Sequence, residues 1–269
     1  MEQRFVHRLE EELAQAIEDL FAARDKSGRF PHRPSPHTLQ MMAKAAVAVF
    51  EAAAETPASK PSCETPPKGD AKQERFETAY EGSPPWDLQH PQPALAAIAD
   101  RVKGSVLDVG CGTGENALFF AEKGHEVIGV DFVERAVNQA RRKARQRHVR
   151  AEFLQMDALK ITELGRVFDS VIDCGLFHVL CDEDRAAYVE ALAGVTRPGS
   201  HLFLMCFRDE EPGDRGPRRI SQGELRAAFQ CGWKVASIEP IQFEPNPDAE
   251  DRDFSEGGPK GWLATVQRV

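Results

Sequence analysis

A glycine-rich segment between a predicted strand and a predicted helix constrains the fold of this chain most strongly. The segment reads VLDVGCGTGEN, from Val106 to Asn116, and its apolar start is typical of a buried strand. Gly110 lets the chain turn sharply off the strand, and Gly112 and Gly114 leave room for a ligand to approach the backbone. Such a turn indicates an open α/β sheet with a ligand site at the carboxyl ends of its strands.

The chain around this turn alternates apolar strands with amphipathic helices. Strands are predicted over residues 105–109, 126–130, 151–155, 170–174, 201–207, 233–240 and 261–269. Helices are predicted over residues 93–102, 115–123, 133–147, 182–195 and 221–230. The alternation predicts a Rossmann-like α/β fold with a seven-stranded, mostly parallel, doubly wound sheet. No helix separates the last two strands, so the C-terminal strand is predicted to be antiparallel.

The N-terminal part of the chain has a different composition. Apolar residues at helical spacing predict a helical pair in residues 1–56, with Ser35 as the N-cap of its second helix. Residues 57–73 are rich in Pro, Ser and Lys and predict a linker, which leaves residues 74–269 for the α/β domain. The apolar faces of the helical pair require burial, on each other, on the α/β domain or across a homodimer interface.

Charge and cysteine usage exclude several classes of protein. The formal net charge of −9 argues against a nucleic-acid partner, because phosphate binding needs clustered positive charge. The six cysteines form no CxxC pair and the histidines lack metal-ligand spacing, so we expect no metal. The N-terminus has no signal-peptide pattern and no apolar run approaches transmembrane length. We therefore expect a cytoplasmic protein without a membrane partner.

Three features separate the glycine-rich turn from a NAD-binding fingerprint. Glu115 stands where that fingerprint has its third glycine. Asp108 lies within the strand, where a carboxylate repels a pyrophosphate but can orient an ammonium group. Asp131 ends the second strand about 20 residues after the first glycine, which is the spacing of an acid that binds ribose hydroxyls. The pattern favours a ligand that carries both an ammonium group and a ribose.

Three segments of the chain resemble successive motifs of the class I S-adenosylmethionine-dependent methyltransferases. They are the residues from Val106 to Asn116, the residues around Asp131, and the segment FLQMDAL. The resemblance implies S-adenosyl-L-methionine as cofactor, with the glycines around its methionine part, Asp131 at the ribose and Phe132 beside the adenine. It places Asp157 and Ala158 at the adenine edge; the alternative for Asp157 is a turn or cap. The other cofactor-binding residues expected around the methyl donor are Asp108, Cys111 and Cys174.

A finer resemblance is carried by AYEGSPPWDLQHPQPAL, DSVIDCGLFHVLCDEDRAAYV and FRDEEPGDRGPRRIS. These segments resemble bacterial heterocyclic toxin methyltransferases, which are related to the thiopurine, thiol and halide methyltransferases. The resemblance implies that the segment before the first strand folds over the cofactor, with Trp86 binding it. It implies methyl transfer to N, O or S of a small aromatic or heterocyclic molecule.

Other functions stay open at this point. The nearest alternative is a thiol, halide or chalcogenide methyltransferase. An RNA or protein methyltransferase is less favoured, because no NPPY-type motif follows the fourth predicted strand. A protein that binds S-adenosylmethionine without turnover is the third alternative.

The predicted acceptor site lies at the ends of the fourth and fifth strands. The fourth strand ends CGLFHVL, which places Phe177 and His178 near the methyl donor. His178 is the candidate general base, and the alternative is that it packs there and only shapes the site. Arg208, after the fifth strand, is a candidate for binding an anionic acceptor, and Tyr80 for an aromatic wall.

Overall fold

The computed structural model describes residues 70–213, 216–249 and 254–269, together with Ser35, Thr38 and Met42. The predicted helical pair lies outside the described residues apart from those three positions, and so does the predicted linker up to residue 69. Ser35 Oγ accepts a hydrogen bond from the amide of Thr38 at 3.1 Å, as expected of the predicted N-cap.

The helices are α1 (Asp70–Ala79), α2 (Pro93–Ala97), α3 (Glu115–Glu122), α4 (Glu134–Arg147), α5 (Asp182–Gly194) and α6 (Gln222–Ala228). The strands are β1 (Val106–Val109), β2 (Val127–Asp131), β3 (Ala151–Gln155), β4 (Phe168–Cys174), β5 (Thr196–Phe207), β6 (Trp233–Gln242) and β7 (Lys260–Arg268). Short 3₁₀ segments cover Ala99–Arg101, Ala158–Leu164 and Phe177–Val179.

Helix α1 corrects the predicted linker. The linker was predicted to run to residue 73, but residues 70–73 form the first turn of α1. The sequence DAKQERFETA is polar almost throughout, so it carries no apolar stripe of the kind that predicts a helix. The last four residues of the predicted linker are therefore helical.

The seven strands form one sheet in the order β3-β2-β1-β4-β5-β7-β6. Strands β1 to β5 pair in parallel, whereas β7 runs antiparallel to both β5 and β6. This arrangement confirms the predicted Rossmann-like sheet and its antiparallel C-terminal strand. The strand order reverses between β1 and β4, and ligands of open α/β sheets bind in the crevice at such a point.

Two apolar layers cover the faces of the sheet. Leu107 and Val109 of β1 pack on the face covered by α5 and α6, whereas Val106 packs on the face covered by α3 and α4. Successive side chains of a strand point to opposite faces, so Asp108 shares the face of Val106. Every residue of β1 and β2 is buried. Two buried strands therefore present their carboxyl ends at the crevice.

Candidate active site

The glycine-rich turn leaves β1 and enters α3 with three residues in the left-handed region. Gly110, Gly112 and Gly114 have φ angles of 70°, 53° and 89°. The amides of Gly110 and Cys111 both donate to the carbonyl of Val130, at 2.8 and 3.0 Å, and tie the turn to β2. Left-handed backbone strongly favours glycine, so all three glycines are required by conformation alone.

The neighbours of these glycines separate their roles. A Cβ atom added at Gly112 would lie 2.8 Å from the Tyr80 hydroxyl. A Cβ atom at Gly114 would instead lie 2.8 Å from Cβ of Ala140 and 2.9 Å from the ring of Phe153. Gly114 therefore lets α4 and β3 pack closely against the turn, whereas Gly112 leaves room for the Tyr80 hydroxyl.

Asp131 ends β2 beside the turn, where it was predicted. Its Oδ2 accepts from the amide of Gly112 and its Oδ1 from the amide of Val133, both at 2.9 Å. Burial raises the pKa of Asp131 to about 6, although these two backbone hydrogen bonds act in the opposite direction. Each carboxylate oxygen keeps a further lone pair, which suits the carboxylate for hydroxyl donors such as those of a ribose.

An aromatic segment, residues 76–92, covers this side of the turn. The Trp86 Nε1 donates to the Tyr80 hydroxyl at 3.1 Å. The Phe76 ring meets Trp86 and Phe132 edge to face, at centroid distances of 5.7 and 5.6 Å. Trp86 and Phe132 therefore lie together, as the predicted cofactor site requires. Tyr80, predicted as an acceptor wall, lies instead against the glycine-rich turn.

The aromatic segment is held by the chain that follows β6. Asn246 Nδ2 donates to the carbonyl of Pro84 at 3.3 Å, and the backbone amide of Asn246 donates to the carbonyl of Pro85 at 2.8 Å. The Gln92 side chain donates to the carbonyl of Glu244 and accepts from its amide, at 2.9 and 3.0 Å. These contacts join residues more than 150 positions apart, so no local sequence pattern could have indicated them.

Glu115, the residue that replaces the third fingerprint glycine, forms a buried ion pair. Its two carboxylate oxygens accept from Arg147 at 2.9 and 2.7 Å, and Oε1 lies 2.8 Å from Nζ of Lys143. Lys143 also donates to Thr113 Oγ1 at 2.7 Å, and Thr113 donates to Asp87 of the aromatic segment. The carboxylate thus fixes α4 and the first turn of α3 at the place where a dinucleotide site needs glycine.

The loop after β3 carries the two residues predicted at the adenine edge. Asp157 caps the 3₁₀ segment that begins at Ala158, with Oδ1 accepting from the amide of Leu159 at 2.9 Å. The amide of Met156 donates to the carbonyl of Asp131 at 2.9 Å, which places this loop next to the end of β2. The cap occupies one oxygen of Asp157, so an adenine contact through the other stays a prediction.

A buried carboxylate without a well-formed hydrogen bond lies directly under the turn. Neither oxygen of Asp108 has a hydrogen-bond partner of normal geometry among the described residues. Burial, followed by repulsion from Asp173 and Asp131, raises the pKa of Asp108 to about 8, and the nearby amide of Ala117 offsets this only in part. A buried, unpartnered carboxylate is costly, and a cationic ligand group would relieve the cost.

Asp173, the last residue but one of β4, is a buried acid near the crevice that the sequence reasoning did not single out. Its Oδ1 accepts from the amides of Leu176 and Phe177, at 2.8 and 3.3 Å, and its Oδ2 accepts from the Tyr188 hydroxyl at 3.0 Å. Burial raises its pKa to about 7. The signal was present, because DSVIDC is an apolar strand that ends with an acid, as the strand before Asp131 does.

Replacing Asp108 with asparagine is expected to stabilise the cofactor-free protein at alkaline pH. A raised carboxyl pKa means that the folded state retains a proton that the unfolded state has released, so the stability of the wild type falls as pH rises from about 4 to about 8. Asparagine cannot ionise and avoids this loss. Urea denaturation at about pH 8.5 should give a free energy of unfolding that is higher by more than about 1 kcal/mol, with little difference near pH 4.

Asp169→Asn is the matched control with the opposite sign. Hydrogen bonds from the Ser105 backbone and from Arg197 lower the pKa of Asp169. That variant should therefore be less stable than the wild type at neutral pH, and the difference should vanish in acid. Equal or lower stability of Asp108→Asn at alkaline pH would contradict the assignment of Asp108 as an unpartnered carboxylate.

The two cysteines predicted near the cofactor lie at the carboxyl ends of β1 and β4. Cys111 is buried and Cys174 is half-buried. Burial, reinforced by the nearby Asp108, raises the pKa of both thiols. Both are therefore neutral thiols that line the site and are not nucleophiles.

His178 and Phe177 follow β4 in a buried 3₁₀ turn. His178 Nδ1 accepts from the amide of Phe207 at 2.9 Å, and burial, aided by two nearby arginines, lowers the pKa of His178 to about 3. The buried imidazole is therefore neutral in the ligand-free protein, and the choice between a general base and a packing role stays a prediction. Phe177 is also buried, stacked on Phe229 at 5.9 Å, so it supports the core and does not contact an acceptor.

Arg208, predicted to bind an anionic acceptor, already has an ionic partner. Its Nε lies 2.8 Å from Glu210 Oε2, and its guanidinium lies 5.4 Å from the ring centroid of Trp262. Arg218 is paired in a similar way with Asp182 and Glu224. The structure therefore does not favour Arg208 as the anion-binding group.

The described residues contain no group of three or more His, Cys, Asp or Glu side chains arranged to hold a metal ion. Within the same ranges, no helix is long and apolar enough to cross a membrane.

Comparison with known proteins agrees with this site. The family model described as a methyltransferase domain matches residues 106–199, from the start of β1 into β5. The 2-heptyl-1-hydroxyquinolin-4(1H)-one methyltransferase of Mycobacteroides abscessus is 31% identical over an alignment 221 positions long, gaps included, which covers 73% of this chain and 97% of that protein. This chain belongs to the S-adenosylmethionine-dependent methyltransferases.

Solved structures agree with this membership. A structure from work on the conversion of a disulfide bond into a thioacetal group during echinomycin biosynthesis is 33% identical, with a TM-score of 0.65, over 73% of this methyltransferase and 92% of that chain. The 1,6-didemethyltoxoflavin-N1-methyltransferase of Burkholderia thailandensis, solved with S-adenosylhomocysteine, has 20% identity and a TM-score of 0.56 over 73% and 87% of the two chains. The second likeness is one of fold alone.

Proposed function

We propose that this chain transfers the methyl group of S-adenosylmethionine to an N, O or S atom of a small aromatic or heterocyclic molecule. The observation that carries the proposal is the buried Asp108 carboxylate, which lies two residues before the glycine-rich turn and has no hydrogen-bond partner of normal geometry among the described residues. An ammonium-bearing ligand would satisfy that carboxylate, and Asp131 beside it suits a ribose. One relative whose name gives a heterocyclic acceptor, and which this chain matches over 97% of that relative's length, supports the acceptor class.

The cofactor is assigned to the residues around this turn. The proposed set is Trp86, Asp108, Gly110, Cys111, Gly112, Gly114, Asp131, Phe132, Asp157, Ala158 and Cys174, with Tyr80 added. Within this set, Gly114 contributes indirectly, because it lets α4 and β3 pack closely against the turn. When bound, S-adenosylmethionine supplies an electrophilic methyl group on a sulfonium. The protein's part is to hold the acceptor in line with that methyl group and to exclude water, so no base is required for an acceptor that is already ionised.

An aromatic cluster at the carboxyl end of β5 favours a flat acceptor over a halide or a small alkyl thiol. The rings of Phe207 and Phe243 lie 5.2 Å apart, and those of Phe207 and Phe254 lie 5.9 Å apart. Phe207 and Phe243 are themselves buried, so another ring would contact the cluster at its edge, through the half-buried Phe254. The thiol, halide or chalcogenide methyltransferase therefore ranks second, and a protein that binds S-adenosylmethionine without turnover ranks third.

Calorimetry and a transfer assay test the proposed function. The purified protein should bind S-adenosylhomocysteine in preference to NAD. It should transfer labelled methyl from S-adenosylmethionine to 2-heptyl-1-hydroxyquinolin-4(1H)-one or to another flat N, O or S acceptor. Binding of S-adenosylhomocysteine without transfer to any member of a heteroaromatic panel would favour the non-catalytic alternative.

Replacing Asp131 with alanine is expected to weaken S-adenosylhomocysteine binding by about 1–3 kcal/mol, or roughly 5- to 150-fold, because charge-assisted hydrogen bonds to the ribose are lost. The binding titration should be carried out at about pH 8, where the Asp131 carboxyl is ionised in the wild type. Glu134→Ala, three residues along at the exposed start of α4, is the matched control and should bind like the wild type. Unchanged affinity in Asp131→Ala would place the ribose elsewhere.

A further inference from the structure

We propose that Glu211 is a positioning residue for the methyl acceptor, because its buried carboxylate fixes the half-buried ring of Phe254 at the carboxyl end of the sheet. Glu211 acts through Phe254 and contacts neither the acceptor nor the cofactor. This inference rests on the proposed function and adds the residue that holds one wall of its acceptor site.

The Glu211 carboxylate joins two segments that are far apart along the chain. Glu211 is 3% exposed and lies in the chain after β5. Its Oε1 accepts from the amide of Ser255 at 3.0 Å, and its Oε2 accepts from the Ser255 hydroxyl and from the amide of Lys260, both at 2.8 Å. These three residues form a clasp between the chain after β5 and residues 254–260, which lead into β7.

The carboxylate of this clasp is charged although it is buried. Burial alone would raise the pKa of Glu211, but the hydrogen bonds from the amides of Lys260 and Ser255 outweigh it and lower the pKa. A buried charge is costly unless hydrogen bonds compensate it. Because all three hydrogen bonds to the carboxylate come from residues 255 and 260, the charge is stable only while that segment stays in place.

The backbone of Glu211 is itself fixed to the end of β5. Its amide donates to the carbonyl of Arg208 at 3.0 Å, and Arg219 Nε donates to the Glu211 carbonyl at 3.3 Å. The Arg219 guanidinium also lies 5.8 Å from the ring centroid of Phe207, the last residue of β5. Glu211 therefore has a defined position relative to Phe207.

The placement of Phe254 follows from that of Ser255. Within the part of the chain that the structure describes, the hydrogen bonds that tie Ser255 to residues outside 254–260 all go to Glu211. The preceding ring, Phe254, is half-buried and packs edge to face on Phe207 at 5.9 Å. Loss of the clasp therefore releases this ring from its place on Phe207.

Phe254 lies at the edge of the sheet to which the methyl donor is assigned. Met205, two residues before Phe207, pairs with Cys174 of the proposed cofactor set. The carboxyl ends of parallel strands face the same ligand crevice. A flat acceptor there would pack on the accessible side of Phe254. The position of this ring should therefore affect acceptor binding and leave cofactor binding unchanged.

Glu211→Gln tests the clasp with almost no change in side-chain volume. Glutamine has one carbonyl oxygen, so in either orientation its amino group faces a backbone N–H, that of Ser255 or that of Lys260. Ser255→Ala removes only the hydroxyl donor and leaves both amides. Glu210→Gln is the matched control, because Glu210 is exposed and pairs with Arg208.

Steady-state methyl transfer by the full chain measures the effect on the acceptor. The probe is 2-heptyl-1-hydroxyquinolin-4(1H)-one or, where the wild type does not methylate it, the member of the heteroaromatic panel that the wild type methylates fastest. We expect Glu211→Gln to raise the KM for the probe by about 10-fold or more and Ser255→Ala to raise it by about 3-fold.

The kcat and the affinity for S-adenosylhomocysteine separate positioning from a purely structural role. Both should stay within about 2-fold of the wild type in Glu211→Gln, as should every parameter of Glu210→Gln. A purely structural role would instead reduce the amount of folded protein, and so lower the apparent kcat at an unchanged KM for the probe.

Hydrogen exchange followed by NMR tests the clasp without any acceptor. The Ser255 amide should exchange at least about 10-fold faster in Glu211→Gln than in the wild type, because its acceptor is lost. The Ile220 amide, which donates to the carbonyl of Phe207 at 2.9 Å, should keep its wild-type rate. Faster exchange at Ser255 alone would show local release of the segment.

Unchanged exchange at Ser255, or equally faster exchange at Ser255 and Ile220, would overturn the clasp. Local release with an unchanged KM for the probe would overturn the positioning role. If Glu211→Gln does not fold, Ser255→Ala decides both points. Wild-type protein that binds no S-adenosylhomocysteine, or that methylates no member of the panel, would refute the proposed function and the acceptor role together, whereas the exchange rates would still decide the clasp.

Discussion

Replacing Gly112 with valine is expected to reduce S-adenosylhomocysteine affinity by about 100-fold or more while the domain stays folded. The residue has φ 53°, and the Tyr80 hydroxyl lies 2.8 Å from the point where a Cβ would lie. A valine there displaces Tyr80 and fills the space that the ligand needs. Calorimetry with S-adenosylhomocysteine measures the loss.

Gly165→Val is the matched control for backbone strain. Gly165 has φ 61°, close to that of Gly112, but no atom lies within 4 Å of its added Cβ. Both variants should therefore be destabilised by the strain of a branched side chain in left-handed backbone, and only Gly112→Val should lose affinity. Similar affinities in the two variants would mean that the ligand does not approach the backbone at Gly112.

Replacing Gly114 with alanine is expected to cost about 2–5 kcal/mol of unfolding free energy, which is a large part of a typical domain's stability. The new methyl group would meet Ala140 of α4 and Phe153 of β3 at less than 3 Å, in a residue with φ 89°. Both neighbours are buried and have no room to move away. Urea denaturation of the cofactor-free protein measures this loss in the free energy of unfolding.

Gly165→Ala serves as the control here, because it introduces left-handed strain without a clash. Gly165→Ala should lower the free energy of unfolding by about 1–2 kcal/mol. The further loss in Gly114→Ala then measures the cost of the packing clash. A Gly114→Ala protein as stable as Gly165→Ala would show that α4 and β3 can move away from the turn. The assignment of Gly114 to close packing, as distinct from the role of Gly112 beside the ligand, would then be wrong.

The three buried acids at the crevice link stability to binding. Asp108, Asp131 and Asp173 end or nearly end β1, β2 and β4, and burial raises the pKa of each. Ionising them therefore costs stability in the ligand-free protein. Under the proposed function, a ligand with an ammonium group and hydroxyls would recover part of this cost at Asp108 and Asp131.

Sequence alone determined the fold class and the position of the glycine-rich turn, because both depend on local patterns. A buried strand appears in the sequence as an apolar run, and a left-handed turn appears as a glycine. An acid at the end of a strand appears as the residue that follows the apolar run. These signals gave the glycine-rich turn, Asp131 and the antiparallel last strand. Residues 70–73 were missed because helix α1 has no apolar stripe. The cytoplasmic location and the homodimer through residues 1–56 stay predictions.

Only the tertiary structure decided what the individual side chains do. The tautomer of His178 depends on the amide of Phe207, 29 residues away in the sequence, and the placement of Tyr80 depends on Gly112 and Trp86. Gly114 could not be told from Gly112 by sequence, because both need the same backbone conformation and differ only in the distant residues that face them. Hydrogen bonds and close packing join residues that are far apart along the chain, whereas periodicity and turn chemistry act over a few neighbours.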